Sequence, residues 1–214
     1  MARCPGRSTI YACQDRSKVE LRGKSSANQP GMATHGSPSL KGSEAAKYSA
    51  LETLRDGRRV EIRALRPDDR ADLIAAVARS SAQSLYRRFF EIKRHFTEPE
   101  IEFFLNVDFV DHVALVAVVE ENGRPVVIGG ARYVLVQPGK AEVAFALIDE
   151  YQGRGIGPAL LRHLAAIARN AGLEELIAEV LPGNVPMLKV FEKGGFPMTT
   201  RHEFQVVQVS LRLR

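Results

Sequence analysis

The sequence predicts an α/β fold built on a sheet of mixed strand directions, and three observations carry that expectation. A buried strand and its return strand meet at Glu121-Asn122-Gly123, which reads as a hairpin turn. Two segments of helical periodicity, 157–170 and 184–193, then alternate with further strands and so read as crossovers. Between a strand and the first of these helices lies Gln152-Gly153-Arg154-Gly155-Ile156-Gly157, a glycine-rich junction.

Taken in order, Val60, Ile62 and Ala64 alternate with Glu61 and Arg63, the pattern of a strand. Pro67-Asp68-Asp69 opens a helix with acids in its first turn, where the helix dipole favours them. Residues 84–90 and 98–105 read as two short helices, 112–120 as a buried strand, 126–135 as its hairpin partner and 141–148 as the next strand. Residues 157–170 carry an apolar stripe at Leu160, Leu161, Leu164, Ile167 and Ala168, and Gly172 ends that helix. Residues 176–181 form a strand, and 184–193 a helix that stops at Gly194-Gly195. Val207, Val209, Leu211 and Leu213 alternate with polar residues in a final strand.

Composition narrows the class. A chain of 214 residues, 45% hydrophobic and 26% charged, can bury one core of ordinary size. The longest apolar run, 113–119, is far too short to span a bilayer. Arg3 and Arg7 are followed by no apolar stretch, so no secretory signal is read and a cytoplasmic protein is expected, with no membrane partner. Residues 1–50 are rich in Ser, Gly, Lys and Pro without hydrophobic periodicity. They read as a disordered basic extension ahead of one domain at 51–214, with Met32 an alternative start. That extension holds eight Lys/Arg against three acids, which is the whole net charge of +5; the remainder balances 22 against 22. A neutral domain argues against nucleic-acid binding. Cys4 and Cys13 both lie in the extension, where they serve neither a core disulfide nor a zinc site. His35, His95, His112, His163 and His202 show no ligand spacing, so no metal is expected.

The glycine junction carries the chemistry. Glycines adopt backbone conformations closed to other residues, and successive N–H groups at a helix N-terminus bind phosphate or pyrophosphate. Pro158 suits the first helical turn, and Arg154 can add a charged contact. The spacing is neither that of a dinucleotide fingerprint nor of a Walker A loop, which needs Gly-Lys-Ser/Thr. Alone, the cluster also fits a tight turn with no ligand.

The surroundings extend the pattern. Residues 141–196, including Glu150-Tyr151-Gln152-Gly153-Arg154-Gly155-Ile156-Gly157 and the stretch from Asn184 to Gly195-Phe196, resemble the GNAT superfamily of acyltransferases and its Gln/Arg-x-x-Gly-x-Gly/Ala signature. The resemblance implies a mixed, mostly antiparallel twisted sheet flanked by helices, with acetyl-CoA as co-substrate. It further implies that Gln152, Gly153, Arg154, Gly155, Ile156 and Gly157 hold the CoA pyrophosphate. Ala144, Phe145, Ala146 and Leu147 then pair with the pantetheine amides, and Asn184 lies near the pantetheine arm. Asn184 also suits a plain helix N-cap, and the two roles are compatible.

A narrower resemblance covers most of 57–213. It rests on Ser84-Leu85-Tyr86-Arg87-Arg88-Phe89-Phe90, Val107-Asp108, His112-Val113-Ala114-Leu115-Val116, Ala131-Arg132-Tyr133, Ala141-Glu142 and Asn184-x-x-Met187-Leu188. These look like the catalytic domain of the bacterial Pat-type protein lysine acetyltransferases, which implies acetylation of a lysine on an AMP-forming acyl-CoA synthetase. Such enzymes often carry a fused regulatory domain. Residues 1–50 are too short and polar for one, so regulation by cyclic nucleotide is not expected.

Acetylating an amine requires a neutral nitrogen, and a lysine of pKa about 10.4 is almost wholly protonated at pH 7. A carboxylate is the usual base. Glu142 is the choice, because a lone acid among Ala141, Val143, Ala144 and Phe145 is unexpected unless it faces a cleft, where desolvation would raise its pKa. It also matches the glutamate that Pat-type enzymes use. The bland alternative is a solvated strand residue, or one paired with Arg132; Asp149 and Glu150 are weaker candidates. Many GNAT enzymes protonate the leaving thiolate with a Tyr where this chain has Phe191, so that proton has no evident protein donor. No Cys lies in the domain, which favours direct attack in a ternary complex with a strand N–H holding the oxyanion. Tyr86, Arg87 and Arg88 border the acceptor side in GNAT folds. The plainer reading makes Tyr86, Phe89 and Phe90 core and leaves the arginines in solvent. Two other functions share these features: a small-molecule N-acetyltransferase and a non-catalytic acyl-CoA-binding regulator.

Overall fold

A computed structural model gives the architecture and describes residues 40–93 and 95–214. Eight strands form one sheet: β1 (Ser49–Thr53), β2 (Arg59–Ala64), β3 (His112–Glu121), β4 (Arg124–Gln137), β5 (Lys140–Leu147), β6 (Glu175–Val180), β7 (Met198–Glu203) and β8 (Val206–Arg212). Their spatial order is β1-β2-β3-β4-β5-β6-β8-β7. Every neighbouring pair is antiparallel except β5–β6, which is parallel. The helices are α1 (Leu40–Ala45), α2 (Arg70–Ala78), α3 (Ala82–Phe89), α4 (Glu98–Leu105), α5 (Ile156–Asn170) and α6 (Val185–Glu192), with a 3₁₀ turn at Pro67–Asp69 leading into α2. No described helix is long and apolar enough to cross a membrane.

Sequence and structure agree wherever periodicity was strong. Asn122 and Gly123 both have positive φ, 52° and 76°, the conformation of a tight hairpin turn, and they close β3 onto β4 in the register Glu121↔Arg124. The apolar stripe of α5 buries Leu160, Leu161 and Leu164 on one face of the sheet, against a core that includes Leu115, Tyr133, Val143, Leu176 and Val209. The other face carries a smaller core of Leu65, Ala114, Val116, Val118 and Val127, with Leu73 of α2 against it. Alternation along β5 and β6 therefore decides what lies on each face. Ala141 and Val143 point into the larger core, and Glu142 and Ala144 point the other way.

Two elements depart from expectation. Residues 40–50 were assigned to the extension, but α1 and the first half of β1 lie there. The rest of that extension, with Cys4, Cys13 and Met32, lies outside the described residues. β1 is a short edge strand with little apolar content, so its sequence resembles a tail. It is tied down by Tyr48, whose hydroxyl donates to His163 Nδ1 at 2.5 Å, while His163 Nε2 donates to Glu52 at 2.8 Å. β7 was also missed, because Met198-Thr-Thr-Arg-His-Glu203 is an exposed edge strand with almost no burial to register in its sequence.

Candidate active site

The parallel pair β5–β6 holds together for three rungs only: Lys140↔Glu175, Ala141↔Leu176 and Glu142↔Ile177. Beyond Glu142 both strands continue, to Leu147 and Val180, without pairing to each other. The strands part there, and an open cleft of about 850 Å³ fills the gap. Its walls are residues 142–147 of β5 and 178–180 of β6, and its far end is closed by the glycine junction and the start of α6. On the cleft side, the peptide groups of β5 past Glu142 have no strand partner. Backbone donors and acceptors in that state require a partner from elsewhere, and an extended ligand carrying amides fits the requirement.

The junction is built as the spacing suggested, though each glycine has its own reason. Gly153 has φ +75° and Gly155, the N-cap of α5, has φ +94°. These are left-handed conformations that would strain any side chain there. Gly157 serves packing instead, since a Cβ there would lie 2.8 Å from Val190 of α6. Gly157→Val is accordingly expected to push α6 off α5 and cost about 1–3 kcal/mol, read as a lower thermal midpoint. The first N–H groups of α5 lack acceptors within the helix and point, with the positive end of its dipole, toward an anion.

Of the residues selected from sequence, Glu142, Ala144, Phe145, Ala146, Leu147, Gln152, Gly153, Arg154, Gly155, Gly157 and Asn184 all line the cleft. Ile156 does not: it is 1% exposed and its side chain belongs to the core, so only its backbone is available to a ligand. The Gln152 side chain turns inward, donating to Leu147 O at 2.9 Å and Ser84 Oγ at 3.0 Å, so it shapes the loop. Arg154 sits over the Tyr151 ring and reaches Asp56 at 3.0 Å. Asn184 does cap α6, accepting from Met187 N at 3.4 Å.

Glu142 is 4% exposed, at the point where the ladder ends. It is no solvated strand residue. Arg132 is opposite Ala144, and its guanidinium reaches His112 Nε2 at 3.1 Å and Phe104 O at 3.3 Å rather than Glu142. The rival acids are committed elsewhere. Asp149 accepts from Ser81 N, Ser81 Oγ and Ser84 Oγ at 2.7–2.8 Å; burial works against its charge, but those three donors hold its carboxyl below the usual range. Glu150 pairs with Arg79 at 2.9 Å. Neither lines the cleft.

The plainer reading of α3 holds for Phe89, which is buried, and fails for its neighbours. Tyr86 is 45% exposed rather than core, and Arg87 and Arg88 line the cleft rather than standing in solvent. Glu179 was overlooked. It lines the cleft from β6, on the same face as Glu142, and its signal was the same: one acid between the buried Ala178 and Val180. Phe191 is fully buried against Phe145, with ring centroids 5.8 Å apart, and offers no proton.

Residues 79–196 match the acetyltransferase (GNAT) family. The chain belongs to that family. Within it, the GNAT domain of S. lividans PAT superposes with a TM-score of 0.70 at 33% identity, over 83% of this chain and 99% of that domain. The acetyltransferase Pat of Mycolicibacterium smegmatis is 34% identical over 144 residues, 66% of this chain. This chain spans 42% of that protein's length. Acetyltransferase PA5475 of Pseudomonas aeruginosa is 32% identical over 127 residues, 59% of this chain and 68% of its own. The GNAT fold is shared at 19% identity by Salmonella typhimurium yncA, solved with its cofactor acetyl-CoA, with a TM-score of 0.57 over 72% of this chain and 94% of that one.

Proposed function

We propose that this GNAT protein transfers the acetyl group of acetyl-CoA to a lysine side-chain amine of another protein, an AMP-forming acyl-CoA synthetase, with Glu142 as general base. The observation that carries the reading is a nearly inaccessible carboxylate at the closed end of a cleft with one unpaired strand edge along it. The open edge of residues 144–147 suits the amides of a pantetheine arm, and the N-terminus of α5 with Gly153 and Gly155 suits its pyrophosphate. Similarity to the Pat proteins supports a protein acceptor.

In this scheme Glu142 takes a proton from the lysine ammonium, directly or through a water. The freed amine forms a C–N bond with the thioester carbonyl carbon, a strand N–H holds the oxyanion, and the C–S bond breaks to release CoA as its thiolate. As the tetrahedral intermediate collapses the nitrogen sheds its second proton to solvent or to the departing thiolate; Phe191, packed on Phe145, has none to donate. Both cysteines, Cys4 and Cys13, precede the domain, which favours attack in a ternary complex over an acyl-enzyme.

The test is to incubate the protein with labelled acetyl-CoA and a purified acyl-CoA synthetase. Label on the synthetase lysine is expected. Transfer to a polyamine or an amino acid but not to the synthetase would overturn the protein acceptor. Binding of acetyl-CoA with no transfer to any amine would leave an acyl-CoA-binding regulator.

A further inference from the structure

A second cavity, of about 310 Å³, lies between the smaller face of the sheet and helices α2, α3 and α4. It adjoins the main cleft, and Leu85, Arg88, Ala144, Ala146 and Leu147 line both. Several strand residues beneath it are small: Ala114 on β3, Gly130 on β4, Ala144 and Ala146 on β5. Its volume falls at the lower end of the roughly 300–1,000 Å³ typical of ligand pockets. The lining is apolar apart from Ser80, Arg88, Arg132 and His95, and among the described residues no carboxylate contributes to it.

Arg132 is the unusual member. It is partly buried, and Phe104 stacks beneath its guanidinium at 4.8 Å. Among the described residues only Nη1 is engaged, by Phe104 O and by His112 Nε2. His112 is itself held neutral: burial, then the Arg132 charge, push its pKa to about 4, so it accepts from the arginine without balancing its charge. Nε and Nη2 of Arg132 have no hydrogen-bond partner among the described residues. Burial and the neighbouring Arg88 charge lower its pKa to about 9. The Nε–Nη2 edge of this half-buried guanidinium has no acceptor among the described residues, and a carboxylate is the group whose geometry satisfies that edge.

We propose that this cavity receives the distal end of the acyl group, and that Arg132, with Arg88 beside it, selects acyl-CoA thioesters whose acyl chain ends in a carboxylate. This rests on the reading of the main cleft as the acyl-CoA site. The displacement is the one already described, with a dicarboxylic acyl group in place of acetyl: the C–N bond forms, the C–S bond breaks, and the distal carboxylate stays ionised throughout. The small residues on β5 leave the passage between cleft and cavity open to a chain of methylenes.

The experiment measures dissociation constants of acetyl-CoA, butyryl-CoA and succinyl-CoA for the full chain by calorimetry. Butyryl and succinyl groups have the same number of carbons and differ in the terminal charge. Succinyl-CoA is expected to bind at least about tenfold more tightly than butyryl-CoA, the scale of one charge-assisted pair. In Arg132→Met that ratio is expected to fall to about unity, and in Arg132→Lys to an intermediate value, because an ammonium keeps the charge and loses the fork. The readout is the ratio within each protein, so a change in overall CoA affinity cancels. Should Arg132→Met not fold, Arg88→Gln and Arg132→Lys carry the comparison. Equal affinities in the parent protein, or a succinyl preference that survives the Arg132 substitutions, would overturn the inference. Failure of acetyl-CoA itself to bind would instead remove the reading of the main cleft.

Discussion

Glu142→Gln is expected to lower kcat for acetyl transfer by about 10²- to 10⁴-fold, the span typical of general-base removal, with little change in the affinity for acetyl-CoA. The glutamine is isosteric and leaves the three rungs of β5–β6 intact, so the loss falls on proton removal. The defect has a pH signature. At pH 7 almost every lysine is protonated, and the base supplies what solvent does not. As pH climbs toward the lysine value of about 10.4 the amine loses its proton unaided, so the deficit narrows. Rates of parent and variant measured from pH 6 to 10 check this. Parallel profiles would take the base role away from Glu142 and turn attention to Glu179, which lines the cleft from β6 on the same face.

The second large effect concerns stability. Asp69, in the turn before α2, and Arg63, on β2, are both nearly inaccessible and form a two-pronged ion pair with contacts of 2.6 and 2.7 Å. Asp69 also accepts from Arg66 N at 2.7 Å, which fixes the entry to α2. Asp69→Ala leaves a buried guanidinium without its anion and frees that turn. A loss of about 3–5 kcal/mol is expected, or about 6–20 °C in thermal midpoint at roughly 2–4 °C per kcal/mol for a domain of this size. Burial opposes ionisation of Asp69, but Arg63 and the Arg66 N–H outweigh it and hold its carboxyl below the ordinary value. The stabilisation is therefore complete above the unfolded carboxyl pKa of about 3.9 and is lost as pH falls through the lower folded value. The parent should lose stability below pH 4 more steeply than the variant. Replacing both partners together, Arg63→Met with Asp69→Leu, is expected to recover most of the loss.

Much of this architecture could be read from the residues because burial leaves a periodic trace. The α5 stripe, the alternation of β2 and β8 and the hairpin at Asn122-Gly123 each left a pattern in the residues, and each stands where expected. β1 and β7 left no such trace: both are edge strands, half exposed, and edge strands are polar by necessity. The same logic applies to the site. Glu142 was visible as one acid in an apolar strand, and Glu179 carried the same mark without belonging to any of the short motifs that drew attention to Glu142. Spacing alone did not distinguish the backbone strain at Gly153 and Gly155 from the packing need at Gly157, because that need comes from Val190 on another helix. Ile156 was selected with its glycine neighbours, although an apolar residue at the first position of a buried helix goes to the core. Arg132 stood out only as a motif residue and a candidate partner of Glu142; its place beside Phe104 and His112 was not legible, since those residues arrive from other elements.

The three-rung junction between β5 and β6 has a thermodynamic consequence. It is the one place where the sheet's two halves, β1–β5 and β6–β8, are hydrogen-bonded to each other, and it is the shortest ladder in the sheet. A ligand lying in the gap and bonding to the strand edge supplies the cross-links the ladder omits. Occupancy and cooperativity are then linked: at a hundred times its dissociation constant such a ligand adds about 2.7 kcal/mol to the folded state, concentrated along the seam where the sheet has least of its own.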